Sequence, residues 1–502
     1  MNRNRAQKFL WNTLILTVFS LTSNLISTGF TIYLSNQMGA EGTGLLQLVL
    51  SVYYMSTNIA AGGIHYAVTR FVAEALAQDQ RRQIAPLLRR CLKLCLLFGL
   101  AAGGILLFGA KWIGTYWLCD PRTILSLRCI AIGLPFFSIA CSLRSFFLSL
   151  RNTWKPTGGQ LSEQFSYILA TAVFLHFLLP KGLPYACCSA ALGMTTSEII
   201  GCAVTYLLYR WEIRRKFPHA DPSALPSIKK ILAFSLPISA GSTLRTALTS
   251  VENVLIPSGL KKNGLSYRDS LSAYGAIKGM VLPTLTFPST FLGAFSMMLV
   301  PEIAEAHAKN DSATIRRLTR AVFRYVSLFS LFTVAIFACY SEDIADLFFQ
   351  GQSLGHYFRL LSPLLPFLYL DGTVDAILKG MNQQVYGLKV NITDASLRIL
   401  LIFFLLPRYG TCGYLMVVAF SAVFNSCLSM GRLLWLTKLR PNLWTWLLLP
   451  LLTAGFSCVA GSWLCQNLGI SILWGKILPC LLIYLLLLFL FRQLPPIRRK
   501  PE

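Results

Sequence analysis

The sequence is short of charged residues, and of acidic residues in particular. Charged side chains make up 13% of its 502 residues and hydrophobic ones 55%, whereas a soluble globular domain carries about 25% charged residues. Only 20 residues are Asp or Glu against 45 Lys or Arg, so the formal net charge is +25. This composition excludes a soluble enzyme and favours a membrane protein with many spans. Because the basic residues lie between apolar runs, they indicate membrane orientation, and we expect no nucleic-acid partner.

Signatures of catalysis and of direct ATP use are also missing. The sequence has no Gly-x-x-x-x-Gly-Lys-Ser/Thr loop, no His-Glu-x-x-His motif and no serine elbow. Its 14 cysteines form no Cys-x-x-Cys pair and show no zinc-ligand spacing with histidine, so we interpret them as small apolar helix residues. We therefore expect neither an enzyme nor a bound cofactor or metal.

Fourteen apolar runs are long enough to cross a bilayer, since a helical span needs about 20 mostly apolar residues. These predicted spans, numbered 1 to 14, are approximately 10–34, 45–73, 92–111, 123–150, 157–180, 184–209, 230–256, 271–300, 321–340, 357–380, 387–406, 412–436, 444–465 and 472–491. With the N-terminus inside, the inner segments hold 28 Lys and Arg residues and the outer segments 8. Both termini are therefore predicted to be cytoplasmic.

A duplicated segment divides these spans into two similar halves. Val72-Ala73-Glu74-Ala75 recurs 231 residues later as Ile303-Ala304-Glu305-Ala306, with matching residues downstream. The copies follow spans 2 and 8, so spans 1–6 and 7–12 are predicted to be parallel repeats; chance similarity of two short amphipathic stretches is the alternative. The expected fold is an all-α polytopic membrane protein of about 14 transmembrane helices. Its predicted parts are an N-lobe (1–209), a basic cytoplasmic linker (210–230), a C-lobe (231–436), and spans 13 and 14 with a basic tail (437–502).

Ionisable residues inside spans mark candidate sites, because a charge in hydrocarbon is costly unless it is paired or wetted. Arg245 and Glu252 share one stripe of span 7, and Lys278 of span 8 lies at a similar depth. Together with Arg144 of span 4, they are predicted to form a cationic patch in a central cavity that binds an anionic head group. The alternative is a structural ion pair between spans 7 and 8, in which Glu252 holds one of the cations.

Other ionisable residues predict pairs, gates and a cation site. Arg144 is expected to pair with Glu163 of span 5, and Lys379 and Arg398 lie one turn from acidic residues that they could neutralise. The residues predicted to form a gate or hinge at the cytoplasmic ends of spans 2 and 8 are Arg70, Glu74, Pro301 and Glu305. The residues predicted to bind a coupling cation, Na⁺ or H⁺, are Glu252, Asn391, Asp394, Asp371 and Asp375; structural pairing is the alternative for each.

Helix breakers predict bends in three spans. Span 2 contains Gly62-Gly63, span 8 contains Pro283 and Pro288, and span 10 contains Pro363 and Pro366. Proline removes a backbone hydrogen bond and allows a helix to bend. Bends at these places would suit alternating access.

Five stretches of the chain match the sequence of a known family: GIHYAVTRFVAE (63–74), QLSEQ (160–164), YGAIKGMVLP (274–283), LVPEIAEA (299–306) and DAILKGMNQQ (375–384). Through these stretches the chain resembles the stage V sporulation protein B family, within the multidrug/oligosaccharidyl-lipid/polysaccharide exporter superfamily. The segment 293–305 is also similar to lipid II flippases. The resemblance implies a flippase that moves an undecaprenyl-pyrophosphate-linked saccharide to the outer leaflet by alternating access. The cargo that it implies is lipid II, for the peptidoglycan of the spore cortex.

The resemblance also implies a setting. It places a monomeric chain in the bacterial plasma membrane among membrane lipids, with peptidoglycan synthases as candidate partners and a Na⁺ gradient, a H⁺ gradient or the membrane potential as the driving force. One departure is that span 1 has no ionisable residue between Lys8 and Glu41, where lipid II flippases place an Arg-Asp pair. The alternatives are a cation-coupled multidrug exporter of the same fold, a flippase for capsule or teichoic repeat units, and a non-transporting scaffold for wall synthesis.

Overall fold

The computed structural model describes residues 3–150, 154–217, 226–439, 444–469 and 473–491, and regular secondary structure in these ranges is helical throughout. This confirms the prediction of an all-α chain. The α-helices are α1 (Arg3–Ala61), α2 (Ile64–Ala77), α3 (Ile84–Trp112), α4 (Ile124–Ser149), α5 (Trp154–Leu178), α6 (Leu183–Lys216), α7 (Ile228–Lys262), α8 (Tyr267–Gly275), α9 (Leu282–Thr286), α10 (Ser289–Ala308), α11 (Ser312–Cys339), α12 (Ser341–Phe348), α13 (Gly355–Leu361), α14 (Leu365–Gly380), α15 (Gln384–Thr437), α16 (Leu449–Asn467) and α17 (Leu473–Leu490).

Each predicted span falls on helix within the described residues. Helix α1 joins span 1 to span 2 through a non-helical Gly39, and α15 joins span 11 to span 12 through a non-helical Gly410. Span 8 is built from α8, a π-helical turn (Ala276–Val281), α9 and α10. By length and composition, ten helical segments of the described chain can each cross a membrane. The chain is therefore a multi-pass membrane protein.

The described helices form two compact units. The first unit comprises residues 1–279 and 395–411, and the second comprises 280–394 and 412–502. The predicted lobes 1–209 and 231–436 stay a prediction. Residues 218–225 of the predicted linker and residues 492–502 of the basic tail lie outside the described residues.

Glycines let α8 pack directly on the second half of α1 within the first unit. A Cβ atom on Gly275 would strike the carbonyl oxygen of Ala40, and one on Gly44 would strike the carbonyl oxygen of Leu271. Small residues of this kind allow membrane helices to approach backbone to backbone. This contact fixes the position of the next turn of the chain, which carries Lys278.

Ion pairs fix the end of α8 to the same part of α1. Glu41 of α1 accepts from Arg122 at 2.7 Å and from Arg268 at 2.8 Å, and Arg122 also pairs with the buried Asp120 at 2.8 Å. Three segments are therefore held at one carboxylate. Glu41 is mostly buried and Arg268 is exposed. The network therefore fixes the position of α8 relative to α1 at the surface of the unit.

The duplicated segment has the same backbone conformation in its two copies. Helices α2 and α10 are each followed by a left-handed residue, Asp79 with φ 56° and Asn310 with φ 54°. The next residue donates its N–H to the carbonyl five positions earlier, at 2.8 Å in the first copy and 2.9 Å in the second. This is the Schellman type of helix end. Asp311 then caps α11, and hydrogen bonds from Thr314 hold the pKa of Asp311 below its ordinary value. The same arrangement also ends α14, at Asn382 with φ 60°, so duplication of the segment stays a prediction.

The helix breakers interrupt the chain where bends were predicted. Gly62 and Gly63 are both left-handed (φ 53° and 67°) and separate α1 from α2. A Cβ atom on Gly63 would also strike the carbonyl oxygen of Ser235 in α7. Pro288 lies between α9 and α10, and Pro363 lies in a 3₁₀ turn (Ser362–Leu364) before α14.

We expect Gly275→Ala to lower the thermal stability of the protein, because overpacking a tight contact costs about 1–3 kcal/mol. Gly104→Ala in α3 is the matched control, since nothing lies within 4 Å of its Cβ position. Alanine is favoured over glycine in a helix by up to about 1 kcal/mol. The melting temperature of the protein in detergent should therefore fall for the first variant and hold or rise for the second. A rise for both would contradict the close α1–α8 contact.

Candidate functional site

Helix α7 carries an exposed cation on a polar face. Arg245 shares a stripe with Ser242 and Thr249, and its side chain is exposed. Among the described residues, no acidic side chain forms an ion pair with its guanidinium. Polar faces of membrane helices turn toward protein or toward a water-filled cavity, because hydrocarbon cannot solvate them. The stripe therefore has the chemistry of a wet, cationic surface.

Lys278, like Arg245, forms no ion pair with an acidic side chain of the described residues. Its side chain is half-buried, and it lies in the π-helical turn between α8 and α9. Turns of this kind are frequent at functional sites, because the extra residue changes the direction of the side chains that follow. Sequence reasoning found Lys278 from its charge but had no means to predict the wider turn.

Glu252 pairs with an arginine of α15, and not with Arg245 or Lys278. Its carboxylate is buried and lies 3.2 Å from the guanidinium of Arg398 in α15. The alternative of an ion pair between spans 7 and 8 is not what the described residues show, because Arg398 supplies the charge that Glu252 needs. Arg398 was considered only as a partner for Asp394, four residues before it. Glu252 is therefore not the counter-ion of Arg245 or Lys278.

Arg144 belongs to a polar cluster inside the first unit. As predicted, it pairs with Glu163, at 2.5 Å. The cluster lines a cavity of about 260 Å³ that also contains Glu198 and Tyr53. Glu198 is buried and accepts a hydrogen bond from Tyr53, and its other oxygen has no hydrogen-bond partner among the described residues.

Sequence reasoning missed Glu198, although a signal was present. It is the one acidic residue inside the apolar run 184–209, and a buried acid in a span marks a candidate pathway. Its relation to Glu163 could not be predicted, because the two residues are on different helices, α6 and α5. The structure places two carboxylates and one guanidinium around one small cavity.

The second unit holds the remaining acids of the predicted cation site. Asp371 of α14 accepts from Asn425 at 2.8 Å, and Asp394 of α15 accepts from Ser421 at 3.0 Å. Asp375 pairs with Lys379 at 2.6 Å, which is the structural pairing that its spacing suggested. The side-chain amide of Asn391 donates to a backbone carbonyl of its own helix. Asp371 and Asp394 thus each accept a hydrogen bond from a neutral side chain, on α14 and α15.

The predicted gate residues differ between the two copies of the repeat. Arg70 pairs with Glu74 at 2.8 Å, and its guanidinium lies 4.6 Å from the centre of the Phe234 ring. Glu305 instead pairs with Lys309, one turn further along, at 2.5 Å. The residue at the position of Arg70 in the second copy is Pro301, inside α10. Each glutamate therefore pairs within its own helix, Glu74 with the residue four positions before it and Glu305 with the residue four positions after it.

We expect Arg144→Met to destabilise the protein by about 2–3 kcal/mol, somewhat less than for a fully buried pair, because it leaves Glu163 without its counter-ion. Adding Glu163→Gln should recover part of that loss, since the second change removes the stranded charge. Arg81→Met is the control, because the Arg81–Asp79 pair is exposed and such pairs contribute about 1 kcal/mol or less. Unfolding curves in detergent measure these effects. Equal losses for Arg144→Met and Arg81→Met would contradict a buried pair.

This chain is similar in sequence and in structure to known proteins. A family model described as polysaccharide biosynthesis protein matches residues 9–264. Stage V sporulation protein B of Bacillus subtilis (strain 168) is 22% identical over 406 residues, which cover 80% of this chain and 78% of that protein. The structure of the lipid II flippase MurJ in an inward closed conformation aligns with a TM-score of 0.70 at 12% identity, covering 95% of this chain and 99% of that one.

A multidrug resistance transporter of the MATE family and the MOP superfamily, in an inward-facing conformation, aligns with a TM-score of 0.65 at 14% identity, covering 84% of this chain and 97% of that one. These two solved structures show the fold of this chain. The family model spans just over half of the sequence. The chain therefore belongs to the polysaccharide biosynthesis protein family and has the fold of the MOP superfamily of transporters.

Proposed function

We propose that this protein is a flippase that carries an undecaprenyl-pyrophosphate-linked saccharide from the inner to the outer leaflet by alternating access. The observation that carries the proposal is the pair of membrane cations, Arg245 and Lys278, that have no acidic partner among the described residues. A pyrophosphate is a polyanion, and arginine and lysine in a partly desolvated site bind phosphate strongly. Family membership and the relatives described above support the same class of cargo.

The charge pattern favours this cargo over a cationic drug. In the first unit, Glu163 and Glu252 are each engaged by an arginine, which leaves net positive charge on the α7 stripe and the π-helical turn. A cationic drug would be repelled there, whereas an anionic head group would be attracted. Span 1 also lacks the acidic residue that such exporters use. The specific cargo that we propose is lipid II, for peptidoglycan and spore-cortex synthesis, because the similar proteins include stage V sporulation protein B and a lipid II flippase.

The proposed driving force is a cation gradient or the membrane potential, because the sequence has no ATP-binding loop. Asp371 is the first proposed cation ligand, since it accepts from the neutral side-chain amide of Asn425. Asp394, Asn391 and Asp375 stay candidates for the same role. Oxygen ligands of this kind suit Na⁺, and a carboxylate can alternatively carry a proton. Glu252 is less suited to the role, because Arg398 already neutralises it.

The proposed setting is the bacterial plasma membrane, with both termini in the cytoplasm and the protein acting as a monomer. Peptidoglycan synthases, which would use the cargo after it reaches the outer leaflet, are the proposed partners. The orientation rests on the excess of Lys and Arg in alternate segments between spans. It places the duplicated helix ends of α2 and α10 on the cytoplasmic side.

Reporter fusions test the orientation. Green fluorescent protein fused after Asn310, between α10 and α11, should fluoresce, and alkaline phosphatase fused there should be inactive. After Asn263, between α7 and α8, the phosphatase should be active, because its disulfides form only outside the cytoplasm. The reverse pattern at both positions would show that the positive-inside assignment is wrong.

A lipid II accessibility assay in cells depleted of other flippases tests the cargo. The protein should restore outward movement of lipid II, and Arg245→Ala and Lys278→Ala should each reduce it by roughly tenfold or more, since a charge-assisted hydrogen bond contributes about 1.5–3 kcal/mol. Arg245→Lys should retain more transport than Arg245→Ala, because it keeps the charge. Lys230→Ala, at the exposed start of α7, is the matched control and should transport normally.

Two outcomes would contradict the proposal at different levels. Normal transport by Arg245→Ala and by Lys278→Ala would remove these residues from the binding site. Failure of the wild-type protein to move lipid II, with movement of another lipid-linked saccharide, would overturn lipid II as cargo and leave the class of cargo standing. Membrane levels of each variant, measured in the same cells, separate lost transport from lost folding.

A further inference from the structure

A larger cavity lies elsewhere in the first unit, among α3, α4 and α6. Its volume is about 740 Å³, within the range of cavities that hold small ligands or lipid chains. It shares no lining residue with the α7 stripe or with the cavity around Glu163. Several of its lining residues are exposed, so it is an open groove on the surface of the unit.

One end of this groove is strongly basic. Four cationic side chains line it, Arg89 and Lys93 from α3 and Arg210 and Arg214 from α6, and all four are exposed. We call these four residues the basic cluster. None of them forms an ion pair with an acidic side chain of the described residues, and the lining contains no Asp or Glu. The basic cluster therefore presents up to four uncompensated positive charges to one ligand.

The other end of the groove is apolar. Its walls are formed by Leu96 of α3, by Phe136 and Ile139 of α4, and by Ile199 and Ala203 of α6. From Arg210 to Ile199 the groove runs along α6 for roughly 16 Å, at 1.5 Å per residue. Leu96 and Ile199 are 41% and 37% exposed, which leaves an apolar trough open along its length. A ligand that fits must therefore be anionic at one end and hydrocarbon at the other.

The basic cluster lies at helix ends, where a membrane helix meets the lipid head groups. The basic cluster lies near the N-terminal end of α3 and the C-terminal end of α6, with Tyr206 and Tyr209 also lining the groove at this level. Tyrosine and tryptophan concentrate at the boundary between hydrocarbon and head groups. Basic pockets between membrane helices at this depth bind phosphate-bearing lipid head groups.

We propose that this groove binds an anionic glycerophospholipid of the surrounding bilayer. The basic cluster holds the phosphate, and one acyl chain lies in the trough between α3, α4 and α6. Isolated basic side chains at a membrane surface contact bulk head groups without selecting a lipid. Here four such side chains from two helices converge on a groove that continues into hydrocarbon, so head group and chain are bound together.

Native mass spectrometry of the full-length protein tests this site with dioleoylphosphatidylglycerol and dioleoylphosphatidylcholine as probes. The wild-type protein should retain the anionic lipid about tenfold more than the neutral one. Replacing the whole basic cluster by glutamine should reduce this retention by about tenfold. The control variant replaces four exposed basic residues of the first unit outside the groove by glutamine: Arg82, Lys229, Lys230 and Lys261. It removes the same charge and should retain the lipid as the wild type does.

A second variant tests the trough without changing charge. Ala203→Trp fills the apolar end while the basic cluster stays intact, and it should also reduce retention of phosphatidylglycerol by about tenfold, because the acyl chain is displaced. Melting temperatures in detergent show that each variant is folded. Because no transport is measured, the result is independent of the proposed flippase activity.

Several results would overturn the proposal. Equal retention of the two lipids, or equal loss in the glutamine variant and its control, would show that the basic cluster meets bulk head groups only. Displacement of phosphatidylglycerol by inorganic phosphate would make the groove a simple anion site. Displacement by undecaprenyl pyrophosphate at a lower concentration than by phosphatidylglycerol itself would assign the groove to the transported lipid. Normal retention by Ala203→Trp would remove the trough from the site.

Discussion

The cost of an unpaired charge in hydrocarbon is the constraint on which this structure depends. Moving an ion from water into the apolar interior costs several kcal/mol of free energy even after relaxation. A charged side chain in a span must therefore pair with an opposite charge or contact water. The first unit shows the first solution repeatedly, in the pairs Arg144–Glu163 and Arg398–Glu252. Each pair joins two helices, so charge compensation also determines which helices lie side by side.

The same constraint gives meaning to the cations that are not paired. Arg245 and Lys278 would be expensive to keep in lipid, yet the described acids nearby in sequence are used elsewhere. Their retention is the basis for the proposal that an anionic ligand binds at the polar stripe of α7. In the proposed function, the same electrostatic cost has two consequences: paired charges stabilise the fold, and unpaired cations bind the anionic cargo.

Local hydrogen bonds at helix ends and close helix packing build the frame. Both copies of the repeated segment end a helix with a left-handed Asp79 or Asn310, an arrangement set by local hydrogen bonds. The copies then differ in chemistry, because Glu74 pairs with a residue one turn before it and Glu305 with one after it. In the first unit, glycines at the α1–α8 contact position the π-helical turn that carries Lys278. The two segments thus have the same backbone conformation at the helix end and different ion pairs.

The sequence by itself determined the helical spans, the bends and the local pairs, because each depends on residues at most a few turns apart. Length and hydropathy predict a span, and residues four apart on a helix meet whatever surrounds them. Only the tertiary structure decided that Glu252 meets Arg398, that Glu198 lies beside Tyr53, and that basic residues of α3 and α6 line one groove. The physical reason is that these contacts join helices far apart in sequence, and helix packing, which hydropathy does not encode, selects which of many equally apolar faces come together.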